Sequence, residues 1–343
     1  MRPTEIPPFY FPSMVAFVDD SHDFLVNLSL QLDAGLAFRL FDSPIDALLA
    51  LNGRPSRASL VERLFSVTQL DDDVSLSHHV LDLHLDTIAR EVCNPRRFEQ
   101  FSVVVVDYDM PEIDGLEFCR SIKDRAIKKI LLTGKADEKI AVQAFNKGTI
   151  DRFILKQDTD VIPTLNQAIA ELQRSYFGSM ARTAVEALSL GAHRFLCDAR
   201  FADAFGAICK RLGIVEFYLT ASPEGFLMLD ADGVASLLVV KTQEDLDSHI
   251  EIARDQDAPP ALIECLSGGG FVPCFPPPEG EYLPDGPDWR TCLHPATVVE
   301  AERRYYYAVI AAPAQLAPSD LVSYAAFLRW MDTGNTTALP VPH

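Results

Sequence analysis

Four positions far apart in the chain, each closing or following a short apolar run, carry side chains suited to chemistry. Asp19-Asp20 follow MVAFV (residues 14–18), and Asp107 closes FSVVVVD (residues 101–107). Thr133 ends KILLT, and Lys156 follows RFIL. Continuous apolar runs rich in β-branched residues read as strands buried on both faces, the kind found in parallel sheets. In such a sheet the carboxyl ends of the strands converge on one edge, so these four positions become neighbours. Three carboxylates brought together repel and raise one another's pKa unless a cation is supplied. A hard divalent ion with oxygen ligands, Mg²⁺, answers that need. Lys156 adds a mobile point charge for an incoming oxyanion, and Thr133 adds a hydroxyl donor. The set suits in-line transfer of a phosphoryl group onto a carboxylate, stabilised by metal and donors.

The elements that must position these residues follow from periodicity. Strands are predicted at Met14–Val18, Ala37–Phe41, the run ending at Asp107, Lys129–Thr133 and Arg152–Leu155. Between and after them, apolar residues at helical spacing predict helices over 24–32, 116–125, 137–147 and 158–176. Another helix starts at Ser43-Pro44, an N-cap with proline at N1, and ends near Gly53. Five strands alternating with five helices imply an α/β fold, a doubly wound five-stranded parallel sheet with right-handed crossovers. Residues 54–100 interrupt the alternation. Leu60, Val61, Leu64 and Phe65, then Val80, Leu81, Leu83, Leu85 and Ile88, predict an inserted helical hairpin, broken at Asp71-Asp72-Asp73. His78, His79 and His84 lie in it without the i, i+4 spacing of a helical metal site, and read as surface or partly buried histidines.

Past Phe177 the alternation stops. Helices are predicted over 179–190 and 199–212, then a strand over 214–219. Two apolar runs follow about Asp230-Ala231-Asp232-Gly233, a hairpin cue. Helices over 243–255 and 260–266, a Gly/Pro-rich loop over 268–287, a strand over 304–312 and a helix over 321–331 complete an α+β domain.

Composition bounds the function. A chain of 343 residues, 48% hydrophobic, exceeds one ordinary domain and suggests two. The expected division is a domain over 13–177, with the insert at about 54–100, and a second over 178–343. No apolar stretch approaches the ~18 residues of a membrane span, and the start lacks the pattern of a signal peptide. Seven scattered cysteines without CxxC pairs read as reduced thiols in a cytoplasmic protein. A formal charge of −19, with both halves acidic and no basic helix, excludes DNA binding as an expectation. Ser267-Gly268-Gly269-Gly270-Phe271 does not precede a helix as a phosphate loop would, and reads as a glycine-rich loop.

Taken together at their spacings, VDD (18–20), VVVVDYDMPEIDG (103–115), ILLTG (130–134) and FILK (153–156) resemble the receiver domains of two-component response regulators. The resemblance covers about Met14 to Phe177, minus the insert. It implies a flavodoxin-like fold with Asp107 as phospho-acceptor and Mg²⁺ as cofactor. Asp20 would ligate the metal directly with Asp19 assisting, beside Asp107 and the backbone carbonyl of Asp109. Thr133 and Lys156 would contact the phosphoryl oxygens, and Phe153 would be the aromatic switch that turns inward with Thr133. The implied partners are a histidine kinase or phosphotransfer protein and, on phosphorylation, a second copy in a homodimer. No stand-alone activity is implied beyond self-phosphorylation and dephosphorylation. The whole-chain layout resembles the response regulators of α-hydroxyketone quorum-sensing systems. An alternative reading is a regulated enzyme, or a nucleotide or small-ligand sensor acting through the C-terminal domain.

Overall fold

The computed structural model describes residues 5–53, 65–69, 79–83, 85–134, 137–188, 193–277, 280–313, 316–317 and 321–333. The chain divides into two compact units. One comprises Phe11–Glu62 and Arg96–Met180; the other comprises Met1–Tyr10, Arg63–Pro95 and Ala181–His343. Residues of the insert and the first ten residues thus group with the C-terminal residues. Among the described residues, no helix is long and apolar enough to cross a membrane.

A two-residue strand, β1 (Phe9–Tyr10), comes first in the chain. The unit built from Phe11–Glu62 and Arg96–Met180 is then organised by five strands: β2 (Met14–Val18), β3 (Phe38–Phe41), β6 (Phe101–Asp107), β7 (Lys128–Thr133) and β8 (Arg152–Leu155). They form one sheet in the order β3-β2-β6-β7-β8, every pairing parallel. The helices are α1 (His22–Ser29), α2 (Pro44–Asn52), α4 (Gly115–Ser121), α5 (Glu138–Asn146) and α6 (Val161–Leu188), whose residues up to Met180 belong to this unit. The doubly wound parallel sheet expected from the sequence is therefore the fold. Burial on both faces explains the unbroken apolar runs: Val103 to Val106 are all at most 1% exposed. One face packs Val15, Phe17, Val103, Val105, Ile130, Leu132 and Ile154 against Leu25 and Leu28 of α1 and Leu165, Ala168, Ile169 and Leu172 of α6.

Caps set the helix starts. The Ser21 and Ser43 hydroxyls accept from the amides of Phe24 and Asp46, and the Asp114 carboxylate accepts from Leu116 and Glu117. Two boundaries differ from the sequence reading: α4 stops at Ser121 rather than 125 and α6 begins at Val161 rather than about 158. The helices expected over 158–176 and 179–190 are one helix to Leu188. Gly178 costs a helix interior only about 0.5–1 kcal/mol relative to Ala, and its neighbours Tyr176 and Phe177 are fully buried.

The insert departs from expectation. Its described residues form an antiparallel hairpin, β4 (Phe65–Gln69) with β5 (His79–Leu83), and helix α3 (Leu85–Arg90). Among the described residues the helical pattern holds at α3 and not at the hairpin, where FSVTQ alternates with period two, which suits a strand. Leu60, Val61, Leu64, Asp71-Asp72-Asp73, His78 and His84 lie outside the described residues; His79 opens β5.

The other unit holds a six-stranded antiparallel sheet. Its strands are β1, β9 (Ile214–Thr220), β10 (Gly225–Asp230), β11 (Ala235–Thr242), β14 (Thr297–Glu300) and β15 (Arg304–Ala311), in the order β1-β9-β10-β11-β15-β14. The hairpin expected about Asp230–Gly233 is β10–β11, and Gly233 takes the positive φ (86°) that its turn requires. Strand β12 (Phe271–Pro273) lies inside the predicted loop and pairs with β13 (Leu293–Pro295), a stretch with no predicted element. Helices α7 (Ala199–Leu212), α8 (Gln243–Asp255), α9 (Pro260–Ser267) and α10 (Tyr324–Asp332) complete the unit. Phe205 of α7 packs its ring against Phe217 and Phe226 of the sheet.

Gly115 joins the fold to the site. A Cβ there would stand 2.2 Å from the carbonyl oxygen of Asp107 and 2.9 Å from Leu131 Cδ1. Only a residue without a side chain lets α4 start against the end of β6. Gly115→Ala therefore forces backbone to move, and is expected to destabilise the chain by about 1–3 kcal/mol, the usual range for overpacking. A urea denaturation midpoint equal to wild type would show that the strand end yields freely.

Candidate functional site

Strand register assembles the site. Val18 pairs with Val106, Asp107 with Leu132 and Thr133 with Leu155, so Asp19, Asp107, Thr133 and Lys156 form one row across the carboxyl edge. Backbone bonds extend the register one step: Tyr108 N donates to Leu132 O (2.9 Å) and Lys156 N to Thr133 O (3.0 Å). Asp19 is 2% and Asp107 7% exposed, while Asp20 is exposed. Carboxylate oxygens of these three residues all lie within 4.8 Å of one another. Ligands on opposite sides of an octahedral Mg²⁺ stand roughly 4.2 Å apart, so contraction of well under an ångström would let one ion be shared. The residues present fit a divalent cation.

The Lys156 ammonium lies between two of the acids, 2.7 Å from Asp19 Oδ2 and 2.9 Å from Asp107 Oδ1. The other Asp19 oxygen accepts the Ser21 amide at 2.9 Å. Thr133 is fully buried, and its hydroxyl donates to the Gly134 carbonyl at 3.2 Å. Phe153 is half-buried on β8, paired in register with Leu131. Asp109 is exposed. Sequence reasoning missed Phe24, whose ring centroid lies 4.4 Å from the Lys156 ammonium. A ring face attracts a cation and holds it over the carboxylates. Phe24 read only as one apolar position of a helix, and nothing in its spacing marks it for this contact.

The receiver-domain family of response regulators matches residues 81–167 by its sequence model. Among solved structures, the Legionella pneumophila response regulator LqsR is 40% identical, with 94% of this chain and 95% of that chain covered and a TM-score of 0.76. The chain belongs to the response regulators. An adenylate cyclase from Rhodopirellula baltica (19% identity, 51% of this chain and 98% of that chain, TM-score 0.34) also aligns. So does a response regulator receiver domain protein from Clostridium thermocellum (19% identity, 48% and 95%, TM-score 0.32). No curated protein matches the chain.

Receiver domains as a family take phosphoryl groups from histidine kinases or phosphotransfer proteins and generally bind Mg²⁺, and this response regulator carries the acidic cluster that such an ion needs. Electrostatics in the absence of metal follow from burial. Burial pushes the Asp107 carboxyl above its ordinary range; the hydrogen bond and charge of Lys156 pull it back, and Asp19 pushes it up again. For Lys156, burial alone would lower the pKa, but its bonds to Asp19 and Asp107 prevail and hold it raised.

The sign of the Asp107 effect is testable. With its folded pKa raised, the ionised side chain destabilises the metal-free fold at pH above that value. The penalty vanishes below the ordinary value of 3.8, where folded and unfolded chains are both protonated. Asp107→Asn should therefore melt at a higher temperature than wild type at neutral pH without metal, with the gap closing as the solution is acidified. A lower melting temperature at neutral pH would mean that pairing with Lys156 outweighs burial.

Proposed function

We propose that this response regulator accepts a phosphoryl group on Asp107, with Mg²⁺ held by Asp19, Asp20, Asp107 and the Asp109 backbone carbonyl. The observation that carries this reading is the Lys156 ammonium shared between Asp19 and Asp107 at the sheet edge, beside the buried Thr133. The bound ion would neutralise charge on the transferring oxygens. Asp107 Oδ attacks the phosphorus of a phosphohistidine in a histidine kinase or phosphotransfer protein; the O–P bond forms as the N–P bond breaks. Lys156 already lies within bonding distance of Asp107 and would turn its charge to the new phosphoryl oxygens. Thr133 would exchange its bond to the Gly134 carbonyl for one to a phosphoryl oxygen, drawing the end of β7 inward. Phe153, on the neighbouring strand, would follow into the space vacated.

The output is a shift of a pre-existing equilibrium at the α5–β8 face. Ile140, Val142 and Phe145 of α5 are each 39–48% exposed, which supplies apolar surface for a homodimer formed on phosphorylation. In this reading, 13–177, interrupted by the insert at about 54–100, is the receiver and 178–343 the output domain of a cytoplasmic, quorum-sensing type of regulator. The acidic charge of −19 disfavours direct DNA binding.

The full chain incubated with acetyl phosphate and Mg²⁺ should gain the mass of one phosphoryl group. The gain should be absent in Asp107→Asn and on removal of Mg²⁺ by chelation, and light scattering should report a rise in particle mass with beryllofluoride. A gain that persists in Asp107→Asn moves the acceptor elsewhere; no gain at all removes phosphoryl transfer from the function of this chain.

A further inference from the structure

In the C-terminal unit, the turn between β9 and β10, the end of β11, helix α8 and the chain after β12 border a cavity of about 190 Å³. Ser222 and Glu224 line it from the turn, Lys241 from β11, His249 from α8, and Phe275 and Glu281 from the segment after β12. His249 is 9% and Phe275 5% exposed, and their ring centroids lie 6.2 Å apart. Folded chains pair their buried polar groups almost without exception. Neighbouring side chains obey that rule: Asp245 accepts from the Thr242 amide (2.6 Å) and hydroxyl (2.7 Å), and the Tyr306 hydroxyl donates to Gln243 (2.7 Å). The cavity wall does not. Among the described residues, the side chains of Ser222, Glu224, Lys241, His249 and Glu281 make no hydrogen bond or ion pair.

We propose that this cavity is a binding site for a small zwitterion, a free α-amino acid, whose carboxylate meets Lys241 and His249 and whose ammonium meets Glu224 and Glu281. Charge selects the class. One ammonium and two carboxylates line the same space without pairing, so each is left for a counter-charge from outside. A simple anion answers Lys241 but crowds the carboxylates, and a simple cation does the reverse. Unpaired or like charges are how a site rejects the wrong ligand. A molecule carrying both signs a few bonds apart satisfies both walls at once.

Size and protonation agree with that class. A cavity of about 190 Å³ falls below the roughly 300–1,000 Å³ of sites for drug-sized ligands, and suits a molecule with a short side chain. Burial, with the Lys241 charge, lowers the His249 pKa to about 4, so at neutral pH the imidazole is uncharged and its N–H is free to donate to a carboxylate. Burial raises the Glu224 carboxyl against the pull of Lys241, and a ligand ammonium beside it would favour the ionised form. Asp245, whose charge also reaches Glu224 and His249, adds to the negative side but is already occupied in capping α8 with Thr242. The buried Phe275 ring offers an apolar wall to the ligand's short side chain. All of these residues belong to the C-terminal unit, so the site stands without phosphoryl transfer at Asp107.

The test titrates the full chain by calorimetry with glycine, L-alanine, L-serine and L-threonine in turn, and with acetate and ethylammonium as singly charged probes. At least one of the amino acids should bind with a Kd below about 1 mM, while acetate and ethylammonium give no saturable heat over the same range. Lys241→Met and Glu224→Gln should each weaken that binding by about tenfold or more. Ser222→Tyr, at an exposed position on the rim, should obstruct it without removing a charge. Circular dichroism and a cooperative melt identify the variants that fold, and Ser222→Tyr carries the test if a charge variant does not. No saturable heat from any of the four amino acids overturns the proposal. So does acetate binding as tightly as they do, or an affinity unchanged in Ser222→Tyr and in the charge variants that fold.

Discussion

One ammonium group holds the carboxyl edge of the parallel sheet together. Asp19 and Asp107 end adjacent strands and are both buried, so their charges repel in a region where water screens them poorly. Lys156 enters between them from the far side of the sheet, at 2.7 and 2.9 Å, with the Phe24 ring over its other side. Removing Lys156 would leave two buried carboxylates uncompensated, which costs far more than the net stabilisation the pairing provides, whereas removing Asp107 leaves Lys156 paired with Asp19. The arrangement is thus strained and satisfied at once. Its acids are tolerated because a cation lies among them.

Everything nearby serves that edge. Parallel register fixes which residues share the row, and the apolar strands that enforce the register are buried on both faces, so a slip by one residue would be costly. Gly115 lets α4 begin against the Asp107 carbonyl, and Asp114 caps that helix. Ser21 does double duty: its amide satisfies one Asp19 oxygen while its hydroxyl caps α1. The acids are therefore held by helix starts on one side and by Lys156 on the other.

The C-terminal unit follows different physics. Its sheet is antiparallel, its core is rich in stacked and edge-on rings, and its polar groups gather around a small cavity rather than at a strand edge. Glu224 is pushed up and His249 pushed down to about 4, both mainly by burial. Both shifts favour the neutral forms, the response expected of ionisable groups set in a partly dry wall.

The sequence by itself determined the parallel sheet and the row of Asp19, Asp107, Thr133 and Lys156. Runs buried on both faces leave an unmistakable apolar signature, and strand ends in such a sheet can converge on only one edge. The tertiary structure alone decided the rest. Strand β1 lies in a proline-rich start whose two residues carry no periodicity, and only pairing with β9 makes it a strand. The hairpin β4–β5 is too short for period two to prevail over a helical reading when each run is taken separately. Phe24 over Lys156 joins residues far apart in the chain through packing. Local pattern encodes which face of an element is apolar; it does not encode which distant side chain that face will meet.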